Sequence, residues 1–391
     1  MLQNVRKEIK QVYKTDKEDR IYTLIIDGSN LLRVSMADKK VNSKGEEIGG
    51  IVTFLYKVKA LLEKKDFDYV YVFWDGKNSG QKRYEIYPAY KENRLKTFKK
   101  SDYDNYIEEY AKRIMEYAKK REKPVNEERI ERQKEDKEIF ERLRLQIQLI
   151  LEELYIRQLS VDEMEGDDLI AYYTLHKKSN EYIVILSGDR DLSQLLNNQV
   201  CIFLPIEKKW LTYGNHIEVI GFHPDNVLLN KMICGDVSDN IKGISKVGQT
   251  TLLKYFPEIK ERKVTLDEII RRAKEIEEER RIQHKSKLIV LENIIHRVTT
   301  GIQGDMIYEI NEKIINLKKP LMSEEAINGL ESLSYAPIDP EGRSYDNVYK
   351  ILEKNGIESL METGTFSKLF GYFERIISKE QKRYKNSFKN T

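Results

Sequence analysis

The chain has 391 residues, 40% of them hydrophobic, which is enough for two or three domains or one large domain with insertions. Charged residues make up 34% while the net charge is only +3, a balance that fits long solvated helices and excludes reading a partner from bulk charge. The two cysteines, Cys201 and Cys234, form no CxxC pair, which argues against a cysteine zinc site and for a reducing compartment. The N-terminus carries Arg6, Lys7, Glu8 and Lys10 with no signal-peptide pattern, and no apolar run approaches membrane-spanning length. A soluble cytoplasmic protein with no membrane partner is expected.

Residues 1–20 are polar and charged and read as a loose arm or short helix. Ile21–Ile26 is a strand by its β-branched and apolar run, and it ends in Asp27-Gly28-Ser29-Asn30. Gly49–Glu63 has helical periodicity. Tyr69–Trp74 is a second strand, ending in Asp75-Gly76. Strand, helix, strand predicts a βαβ unit and hence a parallel sheet. From Lys77 to Lys100 there are eight Lys/Arg against two Glu, interleaved with Tyr84, Tyr87, Tyr90 and Phe98. Cations with interleaved rings suit a single nucleic-acid strand, phosphates on the first and bases on the second. Taken alone, this stretch and the charged residues to about Arg144 read better as a solvated helical excursion.

Leu143–Leu159 returns to core-like periodicity, and Asp162–Ala171 reads as opening a helix. Ile183–Leu186 is a buried strand running into Ser187-Gly188-Asp189-Arg190-Asp191, with a short helix over Leu192–Leu196 and a strand over Val200–Leu204. Residues 227–256 read as helix, glycine-bracketed hairpin, helix, stopped by Pro257. Such glycines let a backbone approach phosphate, although a plain helical hairpin with turn glycines fits too. From Thr265 the chain is helical and charged, and the apolar stripes of Leu288–Val298 and Met306–Leu317 are expected to close the core. Tyr335–Pro340 reads as a linker. Two helices and a basic end follow, with six Lys/Arg and two Glu after Tyr372's preceding Gly371. The aromatics of 364–373 recur at helical spacing, which favours core packing over a partner motif.

Three strands thus end in acid: Asp27, Asp75, and Asp189 with Asp191. A helix start offers Glu165, Asp167 and Asp168, and the hairpin offers Asp236 and Asp239. Singly, each reads as a turn or cap residue. In a parallel sheet, however, C-terminal strand ends share one edge. Nine carboxylates there need cations, and oxygen donors suit Mg²⁺ or Mn²⁺.

The ordered set resembles the structure-specific 5′-nucleases, the flap endonucleases and 5′→3′ exonucleases, most nearly the phage exonuclease and phage ribonuclease H type. The resemblance rests on IDGSNLL (26–32), VFWDG (72–76), YPAYKENR (87–94), EGDDLIA (165–171), ILSGDRDLSQLL (185–196) and GDVSDNIKGISKVG (235–248). It implies an α/β fold with a central, mostly parallel sheet flanked by helices (a PIN-like nuclease core), a helical arch insertion and a helix-hairpin-helix DNA-binding region. The organisation expected is an arm over 1–20, a nuclease core over 21–220 with the arch at about 77–145, a helical region over 221–335 with helix-hairpin-helix 227–256, and C-terminal helices and a basic tail over 336–391.

The resemblance also implies roles. Asp27, Asp75, Glu165, Asp167 and Asp168 would line a first metal site, and Asp189, Asp191, Asp236 and Asp239 a second, for two Mg²⁺ or Mn²⁺ ions. Lys91 and Arg94 would contact the scissile phosphate at the arch base, with Tyr90 stacking nearby. Arg83, Lys96, Lys99, Lys242, Gly243, Lys246 and Gly248 would meet DNA, and the hairpin carbonyls would hold K⁺. The implied activity is metal-dependent 5′→3′ exonuclease and flap endonuclease cleavage of flaps, nicked duplexes and RNA–DNA hybrids, as in primer removal. It would act as a monomer in a bacterial or phage-infected cell, with a sliding clamp or single-strand-binding protein as partners. A catalytically weak DNA-structure-binding replication factor is the alternative, but no acid of the motif set is missing. A small PIN-type ribonuclease would lack the hairpin and arch, and an Asp-nucleophile phosphatase would want DxD where Gly28-Ser29 follows Asp27.

Overall fold

The computed structural model describes residues 20–91, 127–299 and 306–389. The chain opens with strand β1 (Ile21–Asp27), helix α1 (Gly28–Ser35), helix α2 (Gly49–Leu62) and strand β2 (Tyr69–Asp75). A short helix α3 (Gln81–Ile86) and the long α4 (Glu127–Glu153) lead to β3 (Arg157–Val161), α5 (Gly166–Leu175), β4 (Glu181–Leu186), β5 (Val200–Leu204) and β6 (Lys209–Leu211). These strands form one sheet in the order β3-β2-β1-β4-β5-β6, parallel except for β6. From β1 the chain winds outward to β2 and β3, then returns to build β4 on β1's other side. That reversal opens a crevice at the carboxyl ends of β1 and β4, where the strand order changes direction.

Alternation along the strands sorts the core into two layers. Leu24, Ile26, Val70, Val72 and Trp74 face α1, α2 and α4, while Ile25, Tyr71, Phe73, Ile183 and Ile185 face α5. On α2 the residues Ile51, Phe54, Leu55, Val58 and Leu61 are all fully buried, the i, i+3, i+4 stripe of an amphipathic helix. Burial of each such side chain is worth roughly 1.5–3 kcal/mol. Phe54 stacks on Trp74 with ring centroids 5.9 Å apart.

A third cluster lies beyond the sheet. It contains α6 (His216–Ile220), α7 (Val227–Cys234), a two-stranded hairpin of β7 (Gly235–Asp236) and β8 (Ile241–Lys242), α8 (Gln249–Tyr255), α9 (Leu266–Ile282), α10 (Ile289–His296) and α11 (Met306–Ile315). Its core joins Phe222, Ile233, Leu252, Phe256, Ile269, Leu291 and Ile294. α9 is opened by a capping box in which Thr265 and Glu268 satisfy each other's backbone amides. The chain ends with α12 (Glu324–Leu333), α13 (Tyr345–Lys354), α14 (Thr363–Phe370) and α15 (Glu374–Ser387).

Three elements differ from the sequence reading. The stretch 143–159 is not one periodic segment: α4 stops at Glu153 and β3 follows on the sheet edge. β6 was not anticipated. The C-terminal segment holds three helices where two were expected, and Phe370, Phe373 and Ile376 sit in the same core as Leu55 and Phe67. Among the described residues no helix is long and apolar enough to cross a membrane.

Candidate active site

The crevice is an open cavity of about 1240 Å³ at the carboxyl edge of the sheet. Asp27 closes β1 and caps α1, accepting from the Asn30 amide at 3.0 Å and from Ser187 Oγ at 2.7 Å. Ser187 follows β4, so this bond ties the two strands that flank the switch point. Asp75 closes β2. Its backbone amide donates to Ser29 Oγ at 3.0 Å, and its Oδ1 accepts from the Gly166 amide at 2.7 Å, which sets the first turn of α5 against the strand end. Asp189 accepts from the Asp191 amide at 2.7 Å, and the Gly188 amide donates to Asn30 Oδ1 at 2.8 Å. Four strand-end acids therefore meet through short turns, as parallel topology demands.

Asp167 on α5, and Asp236 and Asp239 on the hairpin, complete the wall, with Glu165 at the foot of α5. Lys91 reaches Glu165 Oε1 at 2.6 Å, and its own amide donates to the Asp239 carbonyl at 2.7 Å. Its backbone is left-handed (φ 51°), a sharp turn at the last residue of the described stretch 20–91. Eight of the nine predicted acids thus line one cavity together with Lys91.

The charges in it are unequal. Burial and the neighbouring Asp75 carboxylate push Asp27 up to about 7. Asp191 is likewise pushed up to about 7 by burial and Asp189, against the pull of Lys231. Burial, then repulsion from Asp189 and Asp27, raises Asp167 well above the usual carboxylate range, and burial raises Asp189. Burial also opposes ionisation of Glu165, but Arg83 and Lys91 outweigh it and hold that carboxyl at about 2. Asp236 is held at about 2 in the same way, where bonds from Lys231 and Ser238 outweigh burial. At Glu165 and Asp236 the neighbouring cations win, whereas at Asp191 the contact with Lys231 does not offset burial and Asp189.

Several predicted residues are placed differently from the expectation, although Arg83 and Tyr90 also line the cavity. Asp168 does not reach the cavity: it is fully buried, its oxygens taken by Arg83 Nη1 at 2.5 Å and Nη2 at 3.0 Å and by the Leu321 amide at 3.1 Å. Neighbours on a helix point about 100° apart, so Asp167 and Asp168 cannot share a face. Arg83, expected on DNA, is 5% exposed and committed to Asp168, to Glu165 at 3.0 Å and to the Ile314 carbonyl at 2.9 Å. Tyr90, expected to stack on the substrate, is 2% exposed, and its hydroxyl lies 3.1 Å from Glu165 and 3.3 Å from Asp239. It buttresses the acids instead. Gly243 is a packing glycine, since a Cβ there would meet the Cys234 backbone at 2.2 Å. Gly248, at the start of α8, has nothing within 4 Å of its would-be Cβ and is exposed, as are Lys242 and Lys246. Arg94, Lys96 and Lys99 lie outside the described residues.

Lys231 escaped the sequence reading. From α7 its ammonium lies 2.6 Å from Asp236 and in contact with Asp191, bridging the hairpin to the β4 turn. No local pattern marks it; only the return of α7 to the sheet edge does. Ser29, Asn30 and Ser187 were visible inside quoted motifs but given no role. Among the described residues no three acidic, histidine or cysteine side chains close on a single point at metal-ligand distance. The carboxylates instead line an open cavity with two ammonium groups set between them. An all-oxygen donor set with four acids resisting ionisation fits hard divalent cations.

A mostly parallel sheet, acids along its carboxyl edge and a hairpin between two helices together have the architecture of the 5′-nuclease class. The chain belongs to the 5'-3' exonuclease family, whose N-terminal resolvase-like domain matches residues 22–221. It is 36% identical over 116 residues to the 5'-3' exonuclease of Buchnera aphidicola subsp. Schizaphis graminum, covering 28% of this chain and 40% of that protein. Against the thermostable DNA polymerase I of Thermus thermophilus it is 27% identical over 244 residues, covering 60% of this chain and 24% of the polymerase. The chain therefore spans less than half the length of these relatives. Its fold superposes on the T5 5'-exonuclease solved with bound zinc ions, with a TM-score of 0.53 at 17% identity, over 87% of this chain and 100% of the other.

Proposed function

We propose that the protein is a divalent-metal-dependent 5′-nuclease that hydrolyses phosphodiester bonds near the 5′ ends of flaps, nicked duplexes and RNA–DNA hybrids, including primer removal in replication. The observation that carries this reading is the convergence of eight carboxylates on one cavity, four of them with ionisation resisted. Asp27, Asp75, Glu165 and Asp167 would hold one ion, and Asp189, Asp191, Asp236 and Asp239 the other. Two bound Mg²⁺ or Mn²⁺ ions would supply an activated water and charge stabilisation at the leaving oxygen.

The remaining parts are the chain's own. Lys91 stands at the cavity wall 2.6 Å from Glu165, within side-chain reach of a phosphate in the cavity, where its ammonium would take up charge developing on a phosphate oxygen. Arg94 would assist from the segment that follows. Gly248, open on its Cβ side, would let the start of α8 approach a duplex phosphate, flanked by the exposed Lys242 and Lys246. The hairpin carbonyls would hold K⁺. Asp168 and Arg83 enter this scheme as supports beneath Glu165.

Action as a monomer in the cytoplasm and docking of a sliding clamp or single-strand-binding protein belong to the same proposal. Deleting the residues after Gln381 and comparing affinity for those partners tests the basic tail. The main test incubates the protein with 5′-labelled flap, nicked-duplex, hybrid and single-stranded substrates, with and without Mg²⁺. Short labelled products in Mg²⁺ and none in EDTA support the reading. Structure-selective binding without cleavage in any metal would leave a DNA-structure-binding factor.

A further inference from the structure

The turn that presents Asp189 and Asp191 is held from beneath by a buried polar chain that the nuclease reading does not use. Ser193, 2% exposed, sits in the short 3-10 segment Asp191–Leu195 and donates to the Arg190 carbonyl at 2.6 Å. Arg190 is the residue between the two aspartates. Behind Ser193 lies His216, fully buried, with Nε2 3.3 Å from Ser193 Oγ and Nδ1 2.7 Å from the Phe222 carbonyl. A carbonyl can only accept, so Nδ1 carries the ring proton and Nε2 is left as an acceptor. The one hydroxyl hydrogen of Ser193 is then shared between Nε2 and the Arg190 carbonyl, which places the hydroxyl between two fixed points. Burial shifts the ring's pKa below its ordinary value; the Phe222 bond opposes this and His223 adds to it, so the ring works in its neutral form. The Phe222 ring meets the imidazole edge-on at 5.4 Å and limits its rotation.

The next residue is pinned as well. Gln194 donates to the Ile315 carbonyl at 3.0 Å and accepts from the Leu317 amide at 3.2 Å. The turn is thus anchored to α6 through His216 and to the end of α11 through Gln194, two elements more than twenty and a hundred residues away. A turn that needed only to connect β4 to β5 would have no use for a buried imidazole. Burying one without full hydrogen bonding is costly, by roughly 1–3 kcal/mol per unsatisfied group.

We propose that His216 is a positioning residue: acting through Ser193, it fixes the Arg190 peptide so that Asp189 and Asp191 present their oxygens to one divalent ion. This rests on the nuclease reading, because it assigns those two acids to a metal. Residues that orient a ligand from behind typically contribute 10–100-fold to metal affinity. Because His216 touches neither acid directly, the expected loss is at the lower end, about tenfold.

The test uses the full chain and Mn²⁺, with free Mn²⁺ read by electron paramagnetic resonance in the absence of DNA. Wild type, Ser193→Ala, His216→Phe and His216→Gln are compared, with thermal melting recorded for each. Expected are about tenfold weaker binding of one of two Mn²⁺ equivalents in Ser193→Ala and His216→Phe, and recovery of most of the affinity in His216→Gln, which keeps a donor and an acceptor. Mn²⁺ affinity unchanged in Ser193→Ala, or affinity lost in parallel with the melting temperature in every variant including His216→Gln, would overturn the assignment and leave His216 a packing residue. Wild-type protein that binds no Mn²⁺ and cleaves no substrate would remove the nuclease reading itself, and the inference with it.

Discussion

The crowding of carboxylates has a consequence for stability that can be measured without any substrate. Asp27 is 4% exposed and pushed from an ordinary 3.8 to about 7 by burial and by Asp75. A carboxyl whose folded pKa lies above its unfolded value binds more protons folded than unfolded, so stability falls as pH rises from about 4 through about 7. At roughly 1.4 kcal/mol for each tenfold change, the full rise corresponds to about 4 kcal/mol lost by pH 8 in metal-free protein. Asp27→Asn removes the charge and keeps one oxygen for the Asn30 amide, while its Nδ2 would donate to Ser187 Oγ instead of accepting from it, so much of that loss should be recovered. Urea unfolding in EDTA at pH 5.5 and pH 8 is the assay. Wild type should lose about 2 kcal/mol between the two, since roughly half of the total is already gone at pH 5.5. Asp27→Asn should lose less and should exceed wild type at pH 8. Mg²⁺ should flatten the wild-type slope, since an ion that binds only the folded state stabilises it by mass action. A variant less stable than wild type at pH 8 in EDTA would refute the reasoning and make Asp27 a structural carboxylate.

Lys91→Ala should slow single-turnover flap cleavage about a hundredfold, as for loss of one transition-state donor, with only a few-fold change in duplex affinity. Lys96→Ala and Lys99→Ala should show mild binding defects that salt masks, and equal behaviour of all three would demote Lys91 to a bystander. Arg83→Ala leaves Asp168 buried without its cation and Glu165 with Lys91 alone, so it should lower unfolding stability by about 3–5 kcal/mol; a stable variant defective only in DNA binding would restore Arg83 to the interface. The two hairpin glycines should separate. Gly243→Ala should lower the melting temperature through its clash with Cys234, whereas Gly248→Val should melt normally and bind duplex more weakly at matched salt. The reverse pattern would exchange their roles.

What could be seen in the sequence follows from how local each cause is. Asp27, Asp75, Asp189 and Asp191 were legible because an apolar run ending in acid already says where a parallel strand puts that acid. Asp168 was misassigned because adjacent acids in a string carry no sign of which way a helix will point them, and its partner Arg83 lies 85 residues away. Tyr90 and Arg83 looked like surface residues in a basic stretch; that they turn inward depends on Glu165 and Ile314, again distant in sequence. Lys231 had no local signature at all. β3 was hidden for a related reason. As an edge strand it pairs on one side only, and its polar residues are satisfied by remote partners: Gln158 by Trp74 at 3.1 Å and Arg157 by Glu380 at 2.6 Å.

The bond between Arg157 and Glu380 also bears on how such a chain comes to exist. Both groups are buried, and they stand 223 residues apart. Phe370, Phe373 and Ile376 fill the layer against α2 that the first seventy residues begin. Closing contacts of such long range are slow to form. A chain that has emerged only as far as α14 has Arg157 without its partner Glu380. Until α15 has emerged the acid-lined crevice has no completed layer behind it. Truncation before residue 345 should accordingly yield aggregating chains rather than a smaller soluble protein.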